Sequence, residues 1–402
     1  MPLSFSQFLQ QITNALHDQE GPTLAYLLGV TNPHAKDLVK EFRNPTKTSL
    51  TSRYKSAIIS PWDEISIQYV LVTTHIAKQR SAAAFEEHTN LVNAFLRFFA
   101  ENNGWTLPAL FAVLRDLRDL AFDVCNISCM ENAARTMAKA FTQCLQDRTS
   151  TYQMSRKWGV YYVVGLTLKS YFRLRKIALS KNIFRALDAY SDVPALDQFP
   201  KSHQVTYRYY LGRISFLNED FTKSEKELTL AFYSCHAAAG SNRERILTYL
   251  IPLRILRGHL PSRDLLDQFS ALDELYTPFI NAIRKGDIKA FDTALDRWER
   301  RLVDLNLWLT LEKARELCIR GLFRRVWVAS QKSNRIPIAM FQSALRVCGM
   351  DSDEAEAECL VANMIYRGYM RGYISHERSM VVLANTNVFP RVADRPSPYA
   401  LY

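Results

Sequence analysis

The block from Tyr276 to Leu383 constrains the fold more than any other stretch of the chain. It opens with Ile283-Arg284-Lys285-Gly286-Asp287-Ile288-Lys289-Ala290-Phe291, which reads as a helix end, a glycine turn and a helix restart. Two long amphipathic segments follow, Leu302 to Glu316 and Cys318 to Ser330. After Pro337 the pattern changes. Ile338 to Val347 predicts a short helix, and Asp351 with Glu354 three residues on predicts the N-cap and capping box of the next. That next helix carries Leu360, Val361, Met364 and Ile365 on one face and ends at Gly368 and Gly372. Tyr373-Ile374 and Met380 to Leu383 are β-prone and flank the polar Ser375-His376-Glu377-Arg378-Ser379, which reads as a hairpin wing. Short helix, helix and two-stranded wing form the winged-helix pattern. Helical repeats closed by such a unit serve assembly more often than catalysis.

The remainder is also helical in character. Glycine is scarce, 13 residues in 402, and parallel α/β or all-β folds need more glycine turns. Ser4 to Leu16 has Phe5, Phe8, Leu9, Ile12 and Leu16 at helical spacing. Asn44-Pro45 to Pro61 reads as a polar connection, and Ile65 to Lys78, Phe85 to Glu101, a segment starting at Pro108, and Asn132 to Leu145 read as helices. Lys157 to Leu187 offers apolar surface almost all round, as a helix buried between neighbours does. Tyr207 to Cys235 has weak tetratricopeptide character, with Gly212 allowing close approach of two helices and Leu228 and Ala231 packing back. Ile246 to Leu256 carries Pro252 and is expected to kink. The predicted fold class is all-α: an α-solenoid of TPR-like helical repeats followed by a C-terminal winged helix.

Charge is distributed unevenly. Residues 1–150 hold 14 Lys+Arg against 14 Asp+Glu, so residues 151–402, with 37 against 26, carry the whole net charge of +11. A basic back half suggests an anionic partner, either nucleic acid or an acidic protein, unless it is simply a solvated basic surface. Lys169, Arg173, Arg175, Lys176, Lys181 and Arg185 form a basic ridge with no acid before Asp188. The competing explanation is cations snorkelling along a helix end. The seven cysteines are scattered and odd in number, as expected of free thiols in a reducing compartment. The start lacks the basic and apolar regions of a signal peptide, and no apolar run is long enough to span a membrane. A cytosolic or nuclear protein is expected, without membrane contact.

No phosphate-binding glycine loop, G-x-S-x-G elbow or H-E-x-x-H motif occurs. Cys125 and Cys129 lie one helical turn apart but lack a second pair at zinc spacing, and adjacent Cys235 and His236 point apart on a helix. Neither an enzyme nor a cofactor or metal site is expected. The candidate function is nucleic-acid binding. Arg367, Arg371 and Arg378 surround the wing; Arg315, Arg320, Arg324 and Arg325 lie on the preceding helix, with Lys332 and Arg335 after it. The predicted recognition helix begins with Asp351, Asp353, Glu354, Glu356 and Glu358, which suit the helix dipole but repel base edges. RNA or DNA backbone contact is therefore expected rather than groove readout. The alternative is edge-to-edge packing against a sister subunit, with these arginines solvated or salt-bridged.

Five stretches carry a resemblance: Ser155 to Gly159, Val205 to Arg213, Ala231 to His236, Leu256 to Pro261, and Ala362-Asn363-Met364-Ile365-Tyr366-Arg367-Gly368-Tyr369-Met370-Arg371-Gly372-Tyr373-Ile374-Ser375-His376. The chain resembles the PCI-domain family, most closely the branch of the TREX-2 mRNA-export PCI subunit and its COP-nine-signalosome-subunit-twelve-like paralogue. The resemblance covers roughly residues 155–390; the first third is similar only in helical character and length. It implies an N-terminal helical-repeat region over 1–200, a PCI domain over 201–390 (helical repeats 201–330, winged helix 331–388), and a loose tail over 389–402. It also implies a non-catalytic nuclear scaffold, at the nuclear pore or elsewhere, with some cytoplasmic presence. Implied partners are a second PCI-type subunit met through the winged helix and a small acidic Sem/DSS-type protein, for which the basic ridge is the candidate by charge. A role between transcription elongation and mRNA export follows from the same likeness. So does its alternative, a purely protein-binding subunit associated with the signalosome.

Overall fold

The computed structural model describes residues 3–42, 44–148 and 150–395. They fall into two compact units, Met1–Tyr210 and Leu211–Tyr402, divided within one helix.

The first unit is a succession of helices: α1 (Phe5–His17), α2 (Gly21–Leu28), α3 (Pro33–Glu41), α4 (Lys47–Tyr54), α5 (Trp62–Ala77), α6 (Ser81–Glu101), α7 (Leu107–Val124), α8 (Ile127–Leu145), α9 (Val160–Arg173) and α10 (Ser180–Ala189). The amphipathic period of α1 buries Phe5, Phe8, Leu9 and Ile12, and Ser4 with Gln7 closes a capping box at its start. Helices α5 to α9 each pack on the next, as in a solenoid. Two expectations change here. The connection from Asn44 to Pro61 contains α4, capped by the Thr46 hydroxyl and anchored by buried Leu50. The segment Lys157 to Leu187 is two helices: α9 ends at Arg173, and Arg175 takes a left-handed conformation (φ 57°) before α10 restarts at Ser180.

The second unit begins within α11 (Lys201–Leu217) and continues through α12 (Phe221–Ser234), α13 (Gly240–Leu256), the single turn α14 (Arg263–Leu266), α15 (Ser270–Lys285), α16 (Ile288–Leu305) and α17 (Trp308–Ala329). Gly212 lets α11 meet α12: a Cβ there would lie 2.7 Å from Leu228 Cγ. Pro252 sits inside α13, which runs unbroken from Gly240 to Leu256. The turn at Gly286-Asp287 forms as its residues predict. Gly286 closes α15 in the left-handed conformation, and the Asp287 side chain caps α16 by accepting from the Ala290 N–H. The break between long helices falls at Asn306 (φ 59°), not near Leu317, because asparagine tolerates this conformation and Leu317 is buried inside α17.

The winged helix comprises β1 (Arg335–Pro337), α18 (Ile338–Val347), α19 (Glu354–Tyr366), β2 (Gly372–Ser375) and β3 (Met380–Leu383). Its sheet is antiparallel, in the order β1-β3-β2. Ile336, Val381 and Ile374 stand in one register row facing the helices, where Ile338, Phe341, Leu345, Val361 and Met364 complete the core. Phe341 meets Phe323 of α17 edge to face at 5.1 Å. Sequence reading missed β1, three residues of which only Ile336 is buried. The capping box of α19 is Asp353 with Glu356, not Asp351 with Glu354. Both pairs satisfy the spacing; the carbonyl of buried Ser352, held by Gln342 and Arg346, fixes which one caps. Residues 389–395 are packed. The Phe389 ring lies tilted against Trp327 with centroids 5.8 Å apart, and Val392 lies where a Cβ on Gly258 would approach to 2.8 Å. The rest of the expected tail, 396–402, lies outside the described residues. Among the described residues, no helix is long and apolar enough to cross a membrane.

Candidate nucleic-acid interface

Helix α17, the loop after it and the wing sheet position the predicted cations. Arg324 and Arg325 are exposed on α17; Lys332 and Arg335 follow in the loop and on β1; Arg371 precedes β2, and Arg378 stands on the wing turn. None of these six makes an ion pair among the described residues. Arg335, Val382 and Tyr373 share one register row on the outer face of the sheet, so Arg335 projects from the face that Tyr373 exposes at 64%. Tyr366 at 76% and Val347 at 87% add further apolar surface at the ends of α19 and α18.

Three cations are taken up inside the fold. Arg315 holds Asp292 through two hydrogen bonds of 2.6 and 2.8 Å, and this carboxylate raises its already high pKa. Arg367 is paired with Glu316, tying the end of α19 to α17. Arg320 donates to the carbonyls of Phe389 and Pro390 at 3.4 and 2.8 Å. Burial, followed by the like charge of Arg324, lowers its pKa. Sequence spacing could not separate these from the exposed six, since each partner lies on another element.

The wing turn holds its own contact. His376 Nδ1 lies 2.9 Å from Glu358 Oε1, so one of the acids of α19 faces the wing, while Asp353, Glu354 and Glu356 remain exposed at the helix start. This end is negative, as the sequence indicated.

A groove of about 590 Å³ opens between α15 and α17. Four of its lining residues are Arg284, Arg320, Arg324 and Arg325, and its lining includes no carboxylate. Arg284 was not among the predicted residues. Its position two residues before Gly286 was the available signal, because that glycine brings the end of α15 against Gly321 of α17: a Cβ on Gly286 would lie 2.5 Å from the Leu322 nitrogen.

In the first unit, the basic ridge does not follow one helix face. Lys169 and Arg173 lie on α9, Arg175 and Lys176 in the turn, and Lys181 and Arg185 on α10. All six are exposed, but Lys176 pairs with Glu131 at 2.6 Å and Arg173 lies 5.7 Å over the Phe122 ring. Among the described residues, no group of three His, Cys, Asp or Glu could hold a metal ion. Cys125 ends α7 while Cys129 lies on α8, so the two do not share a helical turn.

Comparison with known proteins fits this architecture. Residues 295–385, from the second half of α16 through the wing, match the family described as PCI domain. The chain is 36% identical to Protein CSN12 homolog of Schizosaccharomyces pombe, over 97% of this chain and 98% of the relative. It is 31% identical to Protein CSN12 homolog of Yarrowia lipolytica and 28% identical to PCI domain-containing protein 2 of Danio rerio, each over 96% of this chain and 98% of the relative. With a helical solenoid closed by a winged helix and this identity along nearly its whole length, the chain belongs to the PCI-domain family.

Proposed function

We propose that this chain is a non-catalytic scaffold subunit of a nuclear PCI complex that couples transcription to mRNA processing and export. In this reading it binds RNA or DNA backbone without sequence preference through the winged-helix surface. The observation that carries it is the exposed set Arg324, Arg325, Lys332, Arg335, Arg371 and Arg378, without ion pairs among the described residues and set beside an acidic helix start that disfavours base readout. A second PCI-type subunit covers Tyr366, Tyr373 and Val347, whose exposure is costly in a free monomer. A small acidic protein is assigned to the basic ridge by charge alone. The test is binding of a single-stranded RNA by the chain with its co-purifying partners across a salt series. Replacing Arg371 and Arg378 by Glu is expected to weaken binding and to reduce the salt slope by roughly 0.7 for each lost phosphate contact. Unchanged affinity and slope would overturn the assignment.

The name CSN12 homolog carried by relatives favours a second reading, a purely protein-binding subunit associated with the COP-nine signalosome. Under it the same double substitution breaks protein pairing or has no effect, and wild-type RNA binding is absent.

A further inference from the structure

We infer that the groove between α15 and α17 is a subsite for single-stranded nucleic acid, seating one strand's backbone on Arg284, Arg320, Arg324 and Arg325. This rests on the nucleic-acid reading above and adds a strand class and a place. The first argument is charge. Four guanidinium groups line the groove without a carboxylate, and Arg320 has no ion pair among the described residues. Two backbone carbonyls solvate part of Arg320, its Nε is buried without a partner, and Arg324 beside it adds like charge. A desolvated cation among cations is stabilised by an anion, and nothing lining the groove supplies one.

The second argument is shape. From Leu317 to Val328 the groove follows α17 for about 16 Å at the helical rise. Arg320 is half-buried, whereas duplex phosphates lie on the outside of a rod and are met by projecting side chains. Single strands, by contrast, are held in positively charged grooves that track the backbone. The walls include Leu260, Ile283, Leu317 and Val328, and Val328 is 52% exposed, offering aliphatic surface to sugar and base. No aromatic ring lines the groove, so affinity comes from phosphates and carries little base preference. The third argument is exclusion: Asp353, Glu354 and Glu356 make the α19 start repulsive to the duplex that a winged helix would otherwise read.

The experiment uses the full chain with its co-purifying partners, a 15-nucleotide single-stranded RNA bearing 4-thiouridine, and a duplex of the same sequence. The groove variant is Arg284→Gln with Arg324→Gln, both exposed positions; the wing variant is Arg371→Glu with Arg378→Glu. Wild type is expected to bind the single strand about tenfold tighter than the duplex at equal salt. The groove variant is expected to lose about 1.4 of the single-strand salt slope, two contacts' worth, and to weaken single-strand binding more than duplex binding. Photo-crosslinks are expected within residues 317–329. Equal affinity for both strand classes, with single-strand binding lowered by the wing variant alone, overturns the groove and leaves the nucleic-acid reading standing. No binding of either nucleic acid by wild type overturns that reading and the groove with it. Displacement of the oligonucleotide by poly-glutamate at equal charge, but not by duplex, makes the groove a site for acidic protein and also overturns the inference.

Discussion

His34 and His88 are buried in the first unit with one ring nitrogen each left unpartnered. His88 Nε2 lies 2.9 Å from the Val113 carbonyl and donates to it; His34 Nε2 meets the Leu27 carbonyl at the same distance. Burial lowers both pKa values, against the raising effect of those hydrogen bonds. The unfolded chain therefore takes up protons as pH falls through about 6.5 while the folded chain does not, and stability is lost below that pH. Urea unfolding is expected to show the midpoint falling between pH 7 and pH 5.5, with a loss of up to about 1.4 kcal/mol per pH unit for each histidine. His88→Gln should lower stability at pH 7 and flatten that profile; an unchanged profile would contradict the assignment. Gly286 is the most constrained turn residue. Its left-handed φ and the 2.5 Å approach of the Leu322 nitrogen leave no room for a Cβ. Gly286→Ala should cost more than the roughly 1–2 kcal/mol of the backbone conformation alone, because α17 must also shift. At Arg367, charge reversal apposes Glu316, so Arg367→Glu should lower the melting temperature while Arg371→Glu does not. An equal effect of the two would show that the Arg367 pair does not support the fold.

Among the elements, α19 depends on its cap. Asp353→Ala removes the acceptor for the Glu356 N–H and should cost about 1 kcal/mol, whereas Asp351→Ala should be near neutral. Reversal of that order in denaturant unfolding would restore the alternative register. Local chemistry made much of the winged helix legible: Ile338 to Val347 needed only apolar periodicity, and the β2–β3 hairpin only β-prone runs around a polar turn. What the sequence left open was decided by contacts between packed elements and by local backbone conformation. The register of the α19 cap was chosen by contacts from Gln342 and Arg346, and the α16 end by an asparagine in a left-handed turn. β1 is too short to show a period and forms because β3 offers it an edge. The candidate site shows the same limit. Exposed Arg371 and Arg378 and internally paired Arg315 and Arg367 look alike in one dimension. Asp292 and Glu316 separate them only once α16 and the end of α19 have packed on α17.

On the scale of the whole molecule, charge and exposed apolar surface point to a subunit. The first 150 residues are neutral overall, and the excess of cations follows them. In the second unit, cations surround a winged helix that also exposes Tyr366, Tyr373 and Val347. A protein arranged in this way is expected to be poorly soluble when expressed alone and to gain solubility on co-expression with the proposed PCI-type partner; abundant, stable monomer would contradict that. The central claim, membership of a nuclear PCI complex linked to mRNA export, is tested most directly by purifying the tagged chain from nuclear extract and identifying by mass spectrometry what accompanies it. The account predicts recovery of a larger PCI-type subunit, a small acidic protein, and nuclear-pore or splicing factors. Recovery of core signalosome subunits in their place, or of the chain alone, would contradict it.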